Sequence, residues 1–494
     1  MGKRSVNRIK VFSTVTCKFV GTVAFFAVMV VMLFGCEEDN FSSSSSIKLK
    51  FSADTVLFDT VFTTIGSSTR YLKVYNPSKY DVKISSIRLA GGSSSPYRIN
   101  ADGASGVSIS DVNLRSKDSL FVFVEVTIDP ARQNAPLLVE DSILFSTNGN
   151  EQNVKLVSWG QDVFLMNSRT IMSDTVFTTD KPYLVYNYLY VDKNCTLSIP
   201  AGVKIYFHNN AQLIVSGSLD IRGEMDNPVI FEGDRLENYY SDKAGQWSGV
   251  WLAAGSKYNS LSWTEIKNSV IGLIVDTCVT ADAPTLVLSH SRVENCSYAG
   301  LLARGAKINA DNCLFSNAAE ACVALTLGGE YNFYHCTVAN YWGNYLYRSG
   351  PALLLNNYYT YQLVDDGPTY LEPRDMVQAN FFNTIIYGSL SSELGIDNAY
   401  NGQQVSAQMN YYFQDCIVRV PYDYDLTDEA HFVRVTRLDP KFRSIEEQCF
   451  ELDTLSPAKD VANIDISNMY PVDLNGFNRL TDGKPDLGAF ERDE

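Results

Sequence analysis

A six-residue pattern recurs along the second half of the chain, and it limits the fold more than any other feature of the sequence. The first copy, residues 263–268, reads WTEIKN, and further copies begin at residues 290, 312 and 335. Successive copies therefore start 27, 22 and 23 residues apart, and weaker copies occupy residues 383–388 and 415–420. A unit of about two dozen residues cannot bury its own apolar side, so the copies must stack on one another.

Stacking assigns a physical role to each column of the pattern. The second position holds small residues and the fourth holds β-branched or aromatic residues, so both columns are predicted to point inward. The small column comprises Thr264, Ser291, Cys313, Cys336, Thr384 and Cys416, and the apolar column comprises Ile266, Val293, Phe315, Val338, Ile386 and Val418. The sixth position predicts an asparagine ladder at a turn, with left-handed backbone, at Asn268, Asn295, Asn317 and Asn340.

The part of the chain that precedes these copies identifies the architecture more closely. Residues 189–223 read as three short strands separated by Pro-Ala-Gly and Asn-Asn turns. This stretch resembles the first coils of right-handed parallel β-helix proteins of the bacterial envelope. The resemblance implies an all-β fold whose second domain, residues 180–438, is a right-handed parallel β-helix, a solenoid.

Residues 439–494 are predicted to form a C-terminal coil that caps this solenoid. The sequence PDLGAFE at 485–491 resembles the C-terminal coil of Bacteroidetes β-helix lipoproteins. We expect the segment to seal the last rung, because an open strand edge invites aggregation. Its charged residues Asp473, Arg479, Asp486 and Glu491 are interpreted as ion pairs and hydrogen bonds of the cap rather than as a catalytic site.

The repeat also accounts for residues that would otherwise suggest chemistry. Cys313, Cys336 and Cys416 fall on one inward column, where parallel side chains do not point at each other, so buried free thiols are favoured over disulfides. His290 and His335 share a column two rungs apart and are interpreted as a stacked polar column; the alternative is a metal site with converging ligands. We expect no metal ion and no cofactor.

The first domain is predicted to be an Ig-like β-sandwich at residues 47–161. Runs with period-2 alternation, such as 71–75 and 119–128, are separated by turn residues such as Asn148-Gly149-Asn150. The strand before Asn76-Pro77-Ser78 and the closing strand into Trp159 resemble Ig-like domains of the abnormal-spindle/hydin type. Such domains are usually spacers or adhesion modules, and the resemblance carries over no site.

The N-terminus is interpreted as an export signal. Residues 1–35 combine five cations with an apolar run at 19–35, and Cys36 follows directly. The ending LFGC resembles the lipobox of bacterial lipoproteins, which implies that Cys36 is lipidated and anchors the chain in outer-membrane lipid. The acidic residues after it resemble the surface-export signal of Bacteroidetes lipoproteins. The alternative is an uncleaved membrane helix. Residues 36–46, rich in serine, are predicted to be a flexible tether.

Charge excludes one class of partner. The formal net charge is -16, although the first 35 residues carry only cations, so the remainder is more acidic still. An acidic surface repels nucleic acid and fits neutral glycans, cationic partners or solubility alone. We therefore expect no nucleic-acid partner.

One region departs from the repeat and is the predicted site. Between the copies at 335–340 and 383–388 the spacing rises to 48 residues, and this insertion is rich in tyrosine and acidic residues. Aromatic rings stack on the apolar faces of sugars while carboxylates accept their hydroxyls, so a glycan site is predicted here; the alternative is a tyrosine-rich covering. The candidate glycan-binding residues are Tyr358, Tyr359, Tyr361, Asp365, Asp366 and Tyr370. A second candidate loop, 232–248, holds Glu232, Asp234, Arg235, Tyr239, Tyr240, Asp242 and Trp247.

The sequence predicts a binding or scaffold lipoprotein, with two alternatives. One is a polysaccharide lyase or glycoside hydrolase, since parallel β-helices often host them, but fold is not function. Pectin hydrolases of this fold resemble one another in Asp-Asp, Gly-His-Gly and Arg-Ile-Lys motifs, and here Asp365-Asp366 stands alone. A lyase would have to recruit basic residues on successive rungs, namely Lys267, Arg292, Arg304 and Lys307. The second alternative is a structural adhesin with a protein partner. No catalytic residue is assigned.

Overall fold

Two compact units make up the part of the chain that the structure describes. The computed structural model describes residues 40–63, 65–130, 137–277, 283–342, 348–364 and 367–492. The first unit contains the described residues up to Phe58, together with Ile65–Asp129 and Leu138–Ser158. The second unit runs from Trp159 onward and takes in two short segments around residues 59–64 and 130–137.

The first unit contains two five-stranded antiparallel sheets, as the alternation predicts. Alternate residues of each strand are buried, for example Leu72 and Val74 in one strand and Val122 and Val124 in its neighbour. One sheet has the order Lys50–Phe51, Arg70–Tyr75, Ser119–Val126, Tyr97–Ala101 and Ala104–Gly106. The other has the order Thr55–Phe62, Asn150–Gln161, Leu137–Thr147, Val82–Leu89 and Ser108–Leu114. A short 3₁₀ helix spans Gly92–Ser94.

The second unit is a parallel β-helix whose sheet comprises 26 strands. Most strands pair with the third strand after them in the sheet, so a regular rung contributes one strand to each of three faces, here called A, B and C. Four strands turn a corner. Phe164–Ile171 and Tyr183–Val191 lie along faces B and C, and Tyr412–Val418 and Phe432–Thr436 lie along faces A and B.

The strands of each face follow in chain order. Apart from these four strands, face A comprises Thr175–Val176, Thr196–Pro200, Ser218–Arg222, Asn259–Ser262, Leu286–Ser289, Lys307–Asp311, Gly329–Tyr334 and Met376–Phe382. Face B comprises Lys204–Phe207, Val229–Gly233, Thr264–Lys267, Arg292–Cys296, Leu314–Ala318, Thr337–Asn340 and Ile385–Gly388. Face C comprises Gln212–Val215, Gly249–Leu252, Ile271–Asp276, Ala299–Arg304, Ala321–Thr326, Leu353–Asn356 and Leu394–Asp397.

The predicted inward columns lie in face B and are in register over six rungs. The apolar column pairs residue by residue from Ile266 to Val418, and each of its side chains is at most 1% exposed. The small column is buried to the same degree, and its three cysteines are free thiols, as predicted. Small and branched side chains alternate along each strand, which lets rungs about 4.8 Å apart pack without gaps.

Both corners of face B use left-handed backbone, and only one of them was anticipated. Asn268, Asn295 and Asn317 have φ between 53° and 64°, as expected for the turn into face C, whereas Asn340 is not left-handed. The first residue of the six-residue pattern also has positive φ in every copy. These residues are Trp263, His290, Asn312, His335, Asn383 and Asp415, with φ of 46–53°. A single left-handed residue redirects the chain between two strands, so the first residue of each copy marks a corner.

The asparagine ladder is shorter than predicted. Asn317 donates to Asn295 at 3.4 Å, which is the one side-chain rung among these four residues. Asn340 instead bonds the backbone of Ala318 through both amide atoms, and the Asn268 amide donates to the Ser241 carbonyl at 2.9 Å. Backbone groups at each corner compete for the side-chain amides, and at these two residues they replace the amide of the next rung as the partner.

Stacked aromatic rings fill the interior beneath the later rungs of face A. Phe333, Phe381, Phe413 and Phe432 follow one another with ring centroids 5.1, 4.7 and 5.5 Å apart and planes within 17°. Three of the four side chains are fully buried and Phe432 is nearly so. Offset parallel rings are a favourable packing geometry, so this stack strengthens the end of the β-helix.

The C-terminal segment, residues 439–492, lies along the outside of face B. It contains a hairpin of Phe442–Ser444 with Cys449–Leu452 and one short helix, Ile464–Met469, which Asn463 caps. Outward residues of face B, including Leu314, Ile385 and Ile417, form a second buried cluster with Phe442, Phe450, Leu474, Leu487 and Phe490 of this segment. We expected the segment to close the last rung; these contacts place it against the side of several rungs instead.

A buried arginine fastens this segment to the corner between faces A and B. Arg479 is fully buried and donates to the Asn312 side chain and to the Gly488 carbonyl, both at 2.9 Å. Its guanidinium lies 3.4 Å from a carboxylate oxygen of Glu491. Asp473 accepts backbone amides of Phe477 and Glu491, each at 2.6 Å. The prediction of ion pairs and hydrogen bonds at these charged residues is confirmed.

Candidate functional site

A two-stranded hairpin forms the core of the tyrosine-rich insertion. Tyr358–Gln362 pairs antiparallel with Thr369–Pro373, with Tyr361 opposite Tyr370 and Tyr359 opposite Glu372. Side chains alternate across a strand, so Tyr359, Tyr361 and Tyr370 share one side of the hairpin. We call these three residues the tyrosine platform.

The platform is an exposed aromatic surface. The Tyr359 and Tyr361 ring centroids lie 6.2 Å apart with planes 13° from parallel, and those of Tyr361 and Tyr370 lie 5.5 Å apart at 24°. The three residues are 55%, 37% and 41% exposed. Exposed aromatic rings held parallel on one side of a hairpin can stack against a flat ligand without prior rearrangement.

The remaining candidate residues of the insertion are placed differently. Tyr358 lies on the opposite side of the hairpin, where its hydroxyl donates to the Asp397 carboxylate at 2.8 and 2.9 Å. Burial, together with this carboxylate, raises the pKa of Tyr358 to about 12, so the phenol keeps its proton and its hydrogen bond. Tyr358 therefore fastens the hairpin to the β-helix. Asp365 and Asp366 lie outside the described residues.

The base of the hairpin is held by a network centred on Arg374. Its backbone amide donates to the Asn357 carbonyl at 2.9 Å, and its guanidinium donates to Thr277 and to Glu372, both at 2.9 Å. Thr277 follows a strand of face C, and Arg374 lies two residues before the strand Met376–Phe382 of face A. The hairpin thus emerges from the corner between these two faces on a fixed base.

Face A presents a row of side-chain amides that the sequence interpretation overlooked. Asn332 donates to Asn309 at 3.0 Å and accepts from Gln378 at 3.1 Å and from Asn380 at 3.0 Å. These residues occupy adjacent strands and are half-buried, and we call them the amide row. The signal was available, because Asn309, Asn332 and Asn380 repeat at the 23- and 48-residue spacing of the pattern. Amides both donate and accept, which suits sugar hydroxyls.

Most of the candidate residues of the second loop make contacts within the protein. Trp247 is fully buried, stacks on Phe207 at 4.1 Å and donates to the Lys267 carbonyl at 2.9 Å. Glu232 pairs with Lys267 at 2.9 Å, and Asp234 lies 2.7 Å from the His208 ring nitrogen. Tyr239 is 70% exposed. The loop therefore packs against the β-helix and leaves one prominent exposed aromatic ring.

The basic residues considered for a lyase do not converge. Lys267 and Arg292 lie in strands of face B, Arg304 in face C and Lys307 in face A. Arg304 pairs with Asp276 at 2.6 Å and Lys307 with Glu330 at 3.0 Å, while Arg292 donates to Asn475 at 3.1 Å. Because each is neutralised or held in a different place, they do not form one site for stabilising an enolate.

The two histidines that share a column, His290 and His335, contact the C-terminal segment. His290 bonds the Val472 carbonyl at 3.0 Å, and His335 contacts Ser467 at 2.9 Å and Asn383 at 2.9 Å. Burial, followed by the nearby Arg479 guanidinium, holds the pKa of His335 well below its usual range, so this ring is neutral. Among the residues that the structure describes, no three His, Cys, Asp or Glu side chains cluster closely enough for a metal ion.

A cleft of about 330 Å³ lies between face B and residues 474–477 of the C-terminal segment. Trp263 stacks on His290 at 4.5 Å in one wall. Arg292 enters from another, near Phe490. Within the described residues, the lining carboxylates Asp226 and Glu265 make no hydrogen bond or ion pair. Further lining comes from Met225, Pro228, Leu474, Asn475 and Phe477.

Residues 169–308 match the family model described as "Pectate-lyase like beta helix domain". Among curated proteins, none matches the sequence. Three solved structures show local similarity. The ASH/PapD-like domain 7 of human CEP192 is 13% identical, covering 24% of this chain and 87% of that one, with a TM-score of 0.17. A protein of unknown function from Porphyromonas gingivalis is 10% identical (26% and 60% covered, TM-score 0.18).

The third is the Salmonella enterica SafA pilin in complex with the SafB chaperone, which is 16% identical. It covers 24% of this chain, which spans 57% of that structure, with a TM-score of 0.17. Such low scores give these three similarities no weight for function. In the described part of the chain, no helix is long and apolar enough to span a membrane.

Proposed function

We propose that this chain is a lipid-anchored protein of the bacterial outer membrane that binds a neutral glycan through the tyrosine platform. The exposure of three near-parallel rings on a hairpin fixed at its base is the observation that carries the proposal. The carbohydrate-related family model over residues 169–308 is consistent with it.

The chemistry of the platform favours a neutral saccharide over a charged polymer. Pyranose rings have an apolar face that stacks on tyrosine, and their hydroxyls bond side-chain amides such as those of the amide row. The chain carries 56 acidic residues against 40 basic ones, so a uronate polymer would be repelled. The sequence offers Cys36 as the lipid attachment point, and the acidic residues after it favour the cell surface as the location.

A glycan array tests this proposal on the lipid-free chain, residues 37–494. Tyr361→Ala, in the middle of the platform, is expected to weaken retention at least about tenfold, the equivalent of about 1.4 kcal/mol. Tyr239→Ala is the control, because it removes a tyrosine that lies outside the platform and is, at 70%, more exposed than Tyr361. Equal retention by the wild type and Tyr361→Ala would refute the platform as the binding site. Loss of glycan retention in both variants would show that the effect is not specific to the platform, and would count against the platform as the binding site.

A glycoside hydrolase is the second candidate function, and the cleft beside Trp263 is the observation that favours it. Such enzymes use two carboxylates that flank the bond to be cleaved, and Asp226 and Glu265 both line this cleft without a partner. Product formation from a polysaccharide that disappears in Glu265→Gln and persists in Glu330→Gln would support it. An unchanged rate in Glu265→Gln would remove this candidate.

A further inference from the structure

The segment that precedes the first sandwich strand is held by hydrogen bonds from Asn40 onward. Ser42 donates its amide to the Asp81 carbonyl at 2.9 Å, and the Asp81 amide donates to the Asn40 carbonyl at 3.1 Å. Asn148 and Asn150 donate to the carbonyls of Ser44 and Ser45. The sequence predicted a flexible tether over residues 36–46, and the structure shows that residues 40–46 lie against the sandwich.

Because residues 40–46 are held against the sandwich, only the residues before Asn40 can act as a tether between the sandwich and a lipid on Cys36. Three residues separate Cys36 from Asn40, and a fully extended chain spans at most about 3.6 Å per residue step, or roughly 14 Å over the four steps. If Cys36 carries the proposed lipid, Asn40 cannot leave the headgroup region by more than that distance. The end of the sandwich that contains Asn40 must then face the bilayer.

That end of the sandwich carries exposed aromatic and lysine side chains. Phe41, Tyr75 and Tyr80 are 40%, 36% and 36% exposed, and the Lys79 ammonium lies 5.1 Å from the Tyr80 ring. Lys117 belongs to the neighbouring turn, since its amide donates to the Ser78 carbonyl at 3.2 Å. We call Phe41, Tyr75, Lys79, Tyr80 and Lys117 the anchor-end patch.

The composition of this patch fits a membrane interface. Tyrosine rings sit with their apolar body toward the acyl chains and their hydroxyl among the headgroups. Lysines extend their methylene stems along apolar surface and place the ammonium next to phosphate. A patch that faced water alone would gain nothing from exposing three aromatic residues around the point where the chain enters.

We infer that the anchor-end patch rests on the phospholipid headgroup layer, so that the sandwich stands on the membrane as a fixed base. This inference rests on the lipid anchor of the proposed function, but not on glycan binding. A single lipid on a long tether would let the protein swing freely. The short connection from Cys36 to Asn40, together with the contact of the anchor-end patch, restricts the protein to one orientation.

Nitroxide accessibility on the lipidated full chain tests the inference. Tyr80→Cys and Tyr71→Cys are each spin-labelled in a background of Cys449→Ser and Cys278→Ser, because the other described cysteines are buried. The proteins are reconstituted in vesicles of phosphatidylethanolamine and phosphatidylglycerol. Tyr71 is the matched control: it shares a strand and a side with Tyr75, about 13 Å further along, and is 64% exposed.

The label at position 80 is expected to be shielded from a water-soluble nickel reagent and accessible to oxygen, while the label at 71 stays accessible to nickel. Equal nickel accessibility at both positions in a lipidated protein would overturn the patch and leave the anchor intact. Mass spectrometry provides the separate check, because absence of acyl groups on Cys36 would refute the anchor and the inference together. The glycan array on the lipid-free chain is unaffected by either result.

Discussion

The buried guanidinium of Arg479 provides the sharpest test of how the C-terminal segment is held. Arg479 is fully buried, and its four hydrogen-bond contacts join the Asn312 side chain, two carbonyls and the Glu491 carboxylate. Replacing it by methionine keeps most of the side-chain length but removes the positive charge beside the buried Asp473 carboxylate and the donor to Glu491. Removing one partner of a buried charge cluster costs about 3–5 kcal/mol.

This loss should lower the free energy of opening of the C-terminal segment and should leave the stability of the rest of the β-helix almost unchanged. The amides of Leu487, Gly488 and Ala489 donate to Ala458, Asn383 and Thr337, so their hydrogen exchange reports the opening of the segment. In Arg479→Met their protection should fall by about two to three and a half powers of ten, the equivalent of the 3–5 kcal/mol. Amides inside face C, such as those of Ala299–Arg304, should change little.

The matched control is Arg443→Met in the same segment. Arg443 pairs with Glu451 at 3.0 Å, but the two side chains are 66% and 36% exposed, so water screens the pair. Its loss should leave the same three amides unchanged within error. Equal effects of Arg443→Met and Arg479→Met, or no effect of either, would refute the reasoning that buried charge fastens the segment.

Three further predictions follow from burial and from titration. Phe381→Ala, in the middle of the interior ring stack, should lower the unfolding midpoint by the equivalent of about 3–5 kcal/mol. Val377→Ala, at an exposed position of the same strand, should have little effect. Equal shifts in the two variants would contradict the packing argument. Burial raises the pKa of Glu491 to about 8, above its value in the unfolded chain, so its contribution is fully present below about pH 4 and is lost as the pH rises through 8. Protection of the segment should therefore fall as the pH rises from about 4 to about 8 and should level off above that, and Glu491→Gln should flatten this dependence. In a Cys278→Ser form of residues 37–494, a thiol reagent at neutral pH should modify Cys449 alone, because the other six described thiols are buried; rapid labelling of a second thiol would contradict this.

The sequence by itself determined the architecture of the second unit. The six-residue pattern placed the inward columns of face B in the correct register and explained the buried thiols at Cys313, Cys336 and Cys416. It could do so because a solenoid is built from contacts between neighbouring copies, and the spacing of the copies is written in the chain. The alternation in the first unit predicted the sandwich for a similar local reason.

The site was only partly accessible to the same reasoning. The insertion was recognised from its length and composition, and three of its tyrosines form one exposed platform. Nothing in a single sequence reveals that Tyr358 faces Asp397, since that depends on strand pairing within the hairpin. Trp247 was grouped with an exposed loop, but its bulky indole lies two residues before the strand Gly249–Leu252 and is more favourably placed in the core, against Phe207.

Tertiary structure alone decided where the C-terminal segment and the residues that follow Asn40 lie. The C-terminal segment covers the side of face B because outward residues such as Leu314 and Ile385 are apolar there, and these residues are more than fifty positions away from it in the sequence. The N-terminal residues from Asn40 dock on Asp81 and Asn148 through backbone carbonyls, which every residue type possesses. Local patterns fix contacts between neighbouring repeats, whereas contacts made by backbone groups or across long separations leave no periodic trace in the sequence.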